Sequence, residues 1–222
     1  MLALAAMLST ARADPAAPPA PGAVETTHLS PAAIAAAKAG VIAMAKNNFA
    51  AAETSFQELL KLAPDNINGL VNLGMVEFRL GRAEEAQKYL QRAIRVKPDV
   101  AMAWMTLGVI DTNQDDLDAA TAALAQAVYL DPQNPQAHNY FAVTLSKRGW
   151  YSAAEDELER AIRLDPNFAE AHFNLAITYL QSNPPAVELA RRHYQKALDL
   201  GAAPDPEIAA KLAAAPVQNT IP

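Results

Sequence analysis

Prolines recur at one fixed interval, and this regularity limits the folds open to the chain more than any other feature. Spaced by 34 residues and each followed by Asp, Gln or Asn, they are Pro64, Pro98, Pro132 and Pro166. Counting back from each proline defines four units: 33–66, 67–100, 101–134 and 135–168. A period of this length predicts stacked supersecondary units, because one such unit cannot bury its apolar face alone.

Other residue types repeat in register with the prolines, when positions in each unit are numbered from 1 to 34. Position 8 is small and is occupied by Gly40, Gly74, Gly108 and Ala142. Position 20 is also small: Ala52, Ala86, Ala120 and Ala154. Position 24 is large: Phe56, Leu90, Leu124 and Leu158. The pattern predicts two helices near positions 2–14 and 18–31, with small residues allowing a close crossing and large residues filling the space between them.

A fifth unit, 169–204, follows the first four. It begins with His172, Leu175 and Ala176 in the expected columns. After an insertion of two residues near Asn183, the columns resume at Ala190. A final helix from Pro206 to Ala214 and a disordered tail are expected within 205–222, and this helix should cover the last exposed core face.

These columns resemble the tetratricopeptide repeat (TPR). Trp104 at position 4, Leu73, Leu107 and Leu175 at position 7, the small residues at 8, 20 and 27, and the proline at 32 carry the resemblance. It covers roughly residues 33–204, although the first unit has Ala36 and Ala39 where large residues are usual. The resemblance implies an all-α, right-handed superhelical solenoid of about five helix-turn-helix units within a domain of residues 30–204.

The first residues are typical of an export signal. An apolar run from Met1 to Leu8 is followed by Ala11-Arg12-Ala13, a small-x-small cleavage pattern, so residues 1–13 are interpreted as a signal peptide. Residues 14–29 then form a Pro/Ala-rich linker. The basic stretch that normally precedes the apolar run is missing, which leaves open an upstream start codon or an alanine-rich disordered segment.

We expect cleavage after Ala13 and a periplasmic or secreted location. The absence of cysteine fits an oxidising compartment without requiring one. Mass spectrometry of the native protein checks this, and an intact Met1 in the cytosolic fraction would contradict it.

Composition excludes several classes of function. The formal charge of −6 argues against nucleic acid as a partner, because phosphate contacts need clustered cations. No apolar stretch reaches the about 20 residues that membrane insertion requires. Without cysteine there is no thiol nucleophile or thiolate metal site. The sequence does not fix the oligomeric state, and a monomer is the expectation.

Candidate chemical groups are few, and none predicts an enzyme. His138 and His172, both at position 4, should lie near one another in the packed face, as core histidines with hydrogen-bonded ring nitrogens; His193 shows no partner spacing. Glu77 and Asp111, both at position 11, are interpreted as carboxylates beside basic residues rather than as an acid–base pair. Residues 111–115 match the start of a calcium loop but lack its later glycine and glutamate, which predicts a turn. We therefore expect no catalytic residues, no metal and no cofactor.

The face of the first helices opposite the packing stripe is largely apolar. The resemblance implies that it lines the concave side, and apolar side chains there, with amides that can bind a peptide backbone, predict a groove for a partner segment. The predicted groove residues are Val71, Asn72, Met75, Phe78, Met105, Val109, Asn139, Phe173, Asn174 and Ile177. We expect about half of this apolar face to be buried between units instead. The lysine of the chaperone-tail clamp seen in some relatives is absent.

The sequence therefore predicts a non-catalytic scaffold for protein–protein interaction, whose partner is a peptide or helix in an apolar concave groove. Two alternatives stay open: an envelope-assembly factor, and an accessory subunit of an enzyme or secretion complex. The sequence does not identify the partner.

Overall fold

The backbone of each unit doubles back on itself once, so that two antiparallel helices form. The computed structural model describes residues 29–214, which form eleven α-helices and no strand. They are α1 (Pro31–Ala45), α2 (Phe49–Leu62), α3 (Ile67–Arg79), α4 (Ala83–Val96), α5 (Ala101–Asn113), α6 (Leu117–Leu130), α7 (Pro135–Lys147), α8 (Tyr151–Leu164), α9 (Ala169–Gln181), α10 (Val187–Asp199) and α11 (Pro206–Ala214). The first ten pair in sequence, which confirms the predicted all-α architecture of five helix pairs.

The repeated proline ends the second helix in the first four units. The residue before it leaves the helical region in each of these units, with φ between −142° and −136° and positive ψ. Proline disfavours the helical conformation in the residue that precedes it and has no N–H to donate, so the helix stops one residue earlier. The predicted helix ends are confirmed.

The turn between the two helices has a column of its own at position 15. Asn47, Gly81, Asp115 and Gly149 all have left-handed backbone, with φ between 54° and 79°. Glycine, asparagine and aspartate adopt this conformation at the lowest cost, which explains the residue types found there. Of the segment 111–115, only Gln114 and Asp115 lie in this turn, so the interpretation as a turn is confirmed there; residues 111–113 are instead the last residues of α5.

Helix pairs cross closely where the small columns meet. A Cβ atom added to Gly108 would lie 2.4 Å from Cγ of Leu124, and one added to Gly74 would lie 2.7 Å from Cγ of Leu90. Both leucines are fully buried, as is Ala120. The close crossing inferred from the sequence is therefore confirmed.

Neighbouring units stack by burying position 10 of each first helix against the preceding unit. Val76 and Ile110 are fully buried at this position, whereas Ile42 of the first unit is 55% exposed. At the other end α11 buries Ile208 and Leu212 in the core cluster of the last two units. Within residues 29–214, the stack is thus covered at its C-terminal end, whereas Ile42 on α1 is left exposed.

The signal peptide predicted at 1–13, nearly all of the linker and the tail from residue 215 onwards lie outside the described residues. Within residues 29–214, no helix is long and apolar enough to cross a membrane.

Candidate functional site

The first helices of the second to fifth units line up side by side, because α3 contacts α5, α5 contacts α7 and α7 contacts α9; α1 is the corresponding helix of the first unit. The side of these helices turned away from their own second helices is centred on position 9. At about 100° per residue, positions 2, 5, 6, 9, 12 and 13 lie within about 60° of it. We call the residues at these six positions of α1, α3, α5, α7 and α9 the groove face.

The ten predicted groove residues all belong to this face, but they differ in exposure. Six of them are buried: Val71, Met105, Asn139, Phe173, Asn174 and Ile177. The four that stay half-buried are Asn72, Met75, Phe78 and Val109. Burial is greatest at position 5, which lies against the neighbouring first helix, so these side chains form the floor of the groove face.

Polar side chains on the floor bond to one another across units. The hydroxyls of Thr112 and Thr144 lie 2.7 Å apart, and Asn174 Nδ2 donates to Oδ1 of Asn139 over 2.9 Å. The Asn139 and Asn174 amides, which the sequence suggested for a peptide backbone, are thus engaged with each other. Their bonds hold neighbouring first helices in register, which keeps the apolar surface above them in one arrangement.

The accessible part of the groove face is centred on the third and fourth units. A shallow pocket there is lined by Val109, Thr112, Tyr140 and Val143. The Tyr140 hydroxyl makes no hydrogen bond to any described residue, but the exposed lining of the pocket itself is apolar. Sequence reasoning missed Tyr140 because position 6 was considered only for its amides, although the helical period places it on the same face.

Position 4 carries a different, structural function. The ring N–H groups of Trp104, His138 and His172 each donate to the carbonyl oxygen of the proline that ends the preceding unit, over 2.8, 3.0 and 3.2 Å. This column of bonds ties successive units together. The prediction of core histidines with hydrogen-bonded ring nitrogens is confirmed, but each imidazole is paired with its own second helix rather than with the other.

His138 and His172 differ in that second partner. Nδ1 of His138 lies 2.6 Å from the carboxylate of Glu157, whereas Nδ1 of His172 lies 3.0 Å from Nδ1 of His193, whose ring stacks on it. The expectation that His193 has no partner is wrong. Once the two-residue insertion is allowed for, His193 occupies position 23, the column that Glu157 occupies in the preceding unit, so the sequence contained this spacing.

These partners move the pKa values in opposite directions. Burial disfavours the charged ring of His138, but the bonds to Glu157 and to the Pro132 carbonyl outweigh it and raise the pKa. For His172, burial lowers the pKa. The pKa of His193 is lowered by burial and then by the charge of His172. In its neutral form His172 donates from Nε2 to the Pro166 carbonyl, so its Nδ1 can only accept a hydrogen bond, and Nδ1 of His193 is the donor to it.

Acidification should therefore affect the last two units differently. The stability that depends on neutral His172 and His193 is present above pH 6.5 and is lost as the pH falls through their lowered pKa values. The stability that depends on protonated His138 is instead lost as the pH rises through its raised pKa. In urea titrations between pH 8 and pH 5, His193→Gln should make the fall in unfolding free energy shallower than in the wild type. His138→Gln should make it steeper, and equal slopes for the two variants would contradict this assignment.

The two carboxylates at position 11 do not form an acid–base pair. Arg82 donates from Nη1 to Glu77 over 3.0 Å and to Glu53 over 2.8 Å, as expected for a carboxylate beside a cation. Asp111 accepts instead from the Gln87 amide over 2.8 Å, so the expectation of a basic neighbour is wrong there. Burial raises the pKa of both carboxyls, and the Glu53 charge adds to the effect on Glu77.

Among residues 29–214, no three His, Asp or Glu side chains form a group able to hold a metal ion.

Sequence models of one family match three stretches of the chain. Residues 34–66 and 71–135 match models described as tetratricopeptide repeat, and residues 144–183 match one described as TPR repeat. Together these stretches cover more than half of the chain. No curated protein matches it in sequence.

Solved structures of TPR proteins share the fold. PilF of Pseudomonas aeruginosa has a TM-score of 0.73 at 16% identity, covering 82% of this chain and 83% of its own. MamA of Desulfovibrio magneticus RS-1 has a TM-score of 0.67 at 16% identity, covering 78% and 97%. YrrB, described as a TPR protein with an unusual peptide-binding site, has a TM-score of 0.61 at 22% identity, covering 80% and 90%. At these identities the similarity concerns the fold alone.

Proposed function

Because this chain belongs to the tetratricopeptide repeat family, whose members mediate interactions between proteins, we propose that it is a non-catalytic scaffold that binds a partner segment on its groove face. The observation that carries the proposal is the accessible apolar surface above a bonded floor. Met75, Phe78, Val109 and Val143 are half-buried on this surface, and the floor beneath them is held by side-chain hydrogen bonds.

This surface fits a peptide or helix better than a small substrate. The pocket is shallow, and apolar side chains line most of it. Catalysis requires polar groups that converge on a reacting atom, whereas the exposed lining of this pocket is apolar and the Thr112 hydroxyl already bonds to Thr144. Apolar side chains of a partner can pack on the pocket, and its polar groups can bond to Asn72 on the same surface.

A paired substitution tests the proposal at the accessible residues. Phe78→Ala with Val109→Ala removes apolar contact area from the surface while leaving the buried floor intact, including Met105, which packs in the core. We expect the variant to stay folded by circular dichroism and to lose at least about tenfold in partner affinity, since each truncation of a contact residue costs on the order of 1 kcal/mol. The partner is identified beforehand by photo-crosslinking from position 109.

The matched control is Tyr129→Ala, which truncates an aromatic side chain that is 78% exposed on the second helix α6. This variant and a crosslinker at position 129 should leave the same partner unaffected. If the groove variant is folded and binds with wild-type affinity, the groove face is not the binding site.

A further inference from the structure

The charge of the groove face differs in sign from the charge of the chain. The whole sequence carries a formal charge of −6. Among the thirty residues of the groove face, all of them described, the charged ones are Lys38, Arg79, Lys147 and Glu170, which sum to a positive face. An acidic protein thus presents a basic surface at the place where its accessible apolar side chains lie.

The charges are also unevenly distributed along the groove. Lys38 and Arg79 belong to the first two units, are exposed and take part in none of the ion pairs among residues 29–214. Lys147 of the fourth unit is already engaged by the Thr112 carbonyl and by Asp115. Glu170 lies in the fifth unit. The uncompensated positive charge is therefore concentrated at one end.

Arg79 acts electrostatically on the pocket itself. Burial raises the pKa of Tyr140, the Arg79 charge acts in the opposite direction, and the Glu170 charge raises it further. Arg79 lies on α3 and Glu170 on α9, the first helices on either side of the α5 and α7 that line the pocket, so the two charges flank a group bound beside Tyr140. Opposite charges placed around an apolar contact give a partner its orientation and its rate of association more than its total affinity.

Building on the proposed function, we infer that the bound segment is an acidic peptide with a fixed orientation: an apolar side chain packs on the shallow pocket between Val109 and Val143, and Asp or Glu residues on one side of it face Arg79 and Lys38. Adjacent first helices pack about 9 Å apart, so the distance from the pocket to Arg79 corresponds to about three to six residues of an extended chain.

Synthetic peptides test this inference without knowledge of the natural partner. The probes are fluorescein-labelled 14-residue peptides with a central Leu-Phe-Leu. In one set, three Glu, three Lys or three Ser lie about four residues to the N-terminal side of this centre. In a second set, the same three residues lie on its C-terminal side. Fluorescence anisotropy at low salt should show the best Glu peptide binding roughly tenfold more tightly than its Lys counterpart, since each exposed ion pair contributes a factor of a few. The preference should shrink at high salt.

Two variants of the second unit separate local from overall charge. Arg79→Glu and Arg95→Glu change the net charge equally, and both arginines are exposed in the last turn of a helix, α3 for Arg79 and α4 for Arg95. Arg79→Glu should abolish the preference for Glu peptides, whereas Arg95→Glu should retain it.

Equal binding of Glu, Ser and Lys peptides, weakened in each case by Val109→Ala, would overturn the charge inference and leave the groove as the binding site. Binding that is insensitive to Val109→Ala, or no binding by any peptide, would overturn both the acidic partner and the groove proposal.

Discussion

Replacing Ala120 by leucine should lower the free energy of unfolding by about 1–3 kcal/mol. Ala120 is fully buried in α6, where the two helices of the third unit cross, and in the same unit a single added carbon at Gly108 would already lie 2.4 Å from Leu124. Three more carbon atoms at position 20 must therefore push the helices apart. Leucine and alanine are both good helix formers, so the loss cannot come from helix propensity.

The prediction is checked by urea titration, in which Ala120→Leu should lower the unfolding midpoint without changing the dependence of the unfolding free energy on urea concentration. The control is Ala125→Leu in the same helix. Ala125 is exposed, so the same chemical change should stay within about 0.5 kcal/mol there. Equal midpoints for the two variants would mean that the helices of the third unit can separate at no cost.

Deleting residues 206–222 should destabilise the fifth unit by about 3 kcal/mol or more. Ile208 and Leu212 of α11 are buried, and uncovering a large apolar side chain costs about 1.5–3 kcal/mol. The deletion also removes the Leu212 carbonyl, to which Arg191 donates over 3.0 Å. Because each unit contacts only its neighbours, α9 and α10 should lose helicity before the rest of the stack.

Circular dichroism in urea should show an early, partial transition in this truncation. Deleting only residues 215–222 is the control, since it leaves α11 in place, and its unfolding should match that of the full chain. If the longer truncation unfolds in one step at the wild-type midpoint, α11 does not act as a cap.

Most of the fold could be predicted from the sequence because its determinants are local. Proline at position 32 acts on the residue next to it, and the column that includes Gly81 and Asp115 sets the turn through its own backbone. The columns at positions 8 and 24 meet within one helix pair, so their spacing is fixed by helix geometry alone.

The site could be predicted only in part, because exposure depends on neighbouring units. Helical periodicity assigns Met105 and Phe173 to the groove face, but it does not specify how closely the adjacent first helix approaches, and both side chains are buried. The pairing of Asn139 with Asn174 also joins two units and leaves no trace in either one alone. Tyr140 was within reach of the periodicity argument, and His193 was within reach of the column register that resumes at Ala190.

The exposed Ile42 on α1 makes the stack extendable in one direction only. In every later unit the residue at position 10 is buried by the unit before it. The corresponding surface of α1 is therefore one that can pack against a preceding unit, and no such unit lies among the described residues. If a second copy of unit 67–100 were fused ahead of residue 33, the second helix of that added copy could bury Ile42, just as the first unit now buries Val76. The groove face would then gain one more helix while α11 continued to close the opposite end, so binding surfaces of different lengths could be built from this chain by adding units at a single point.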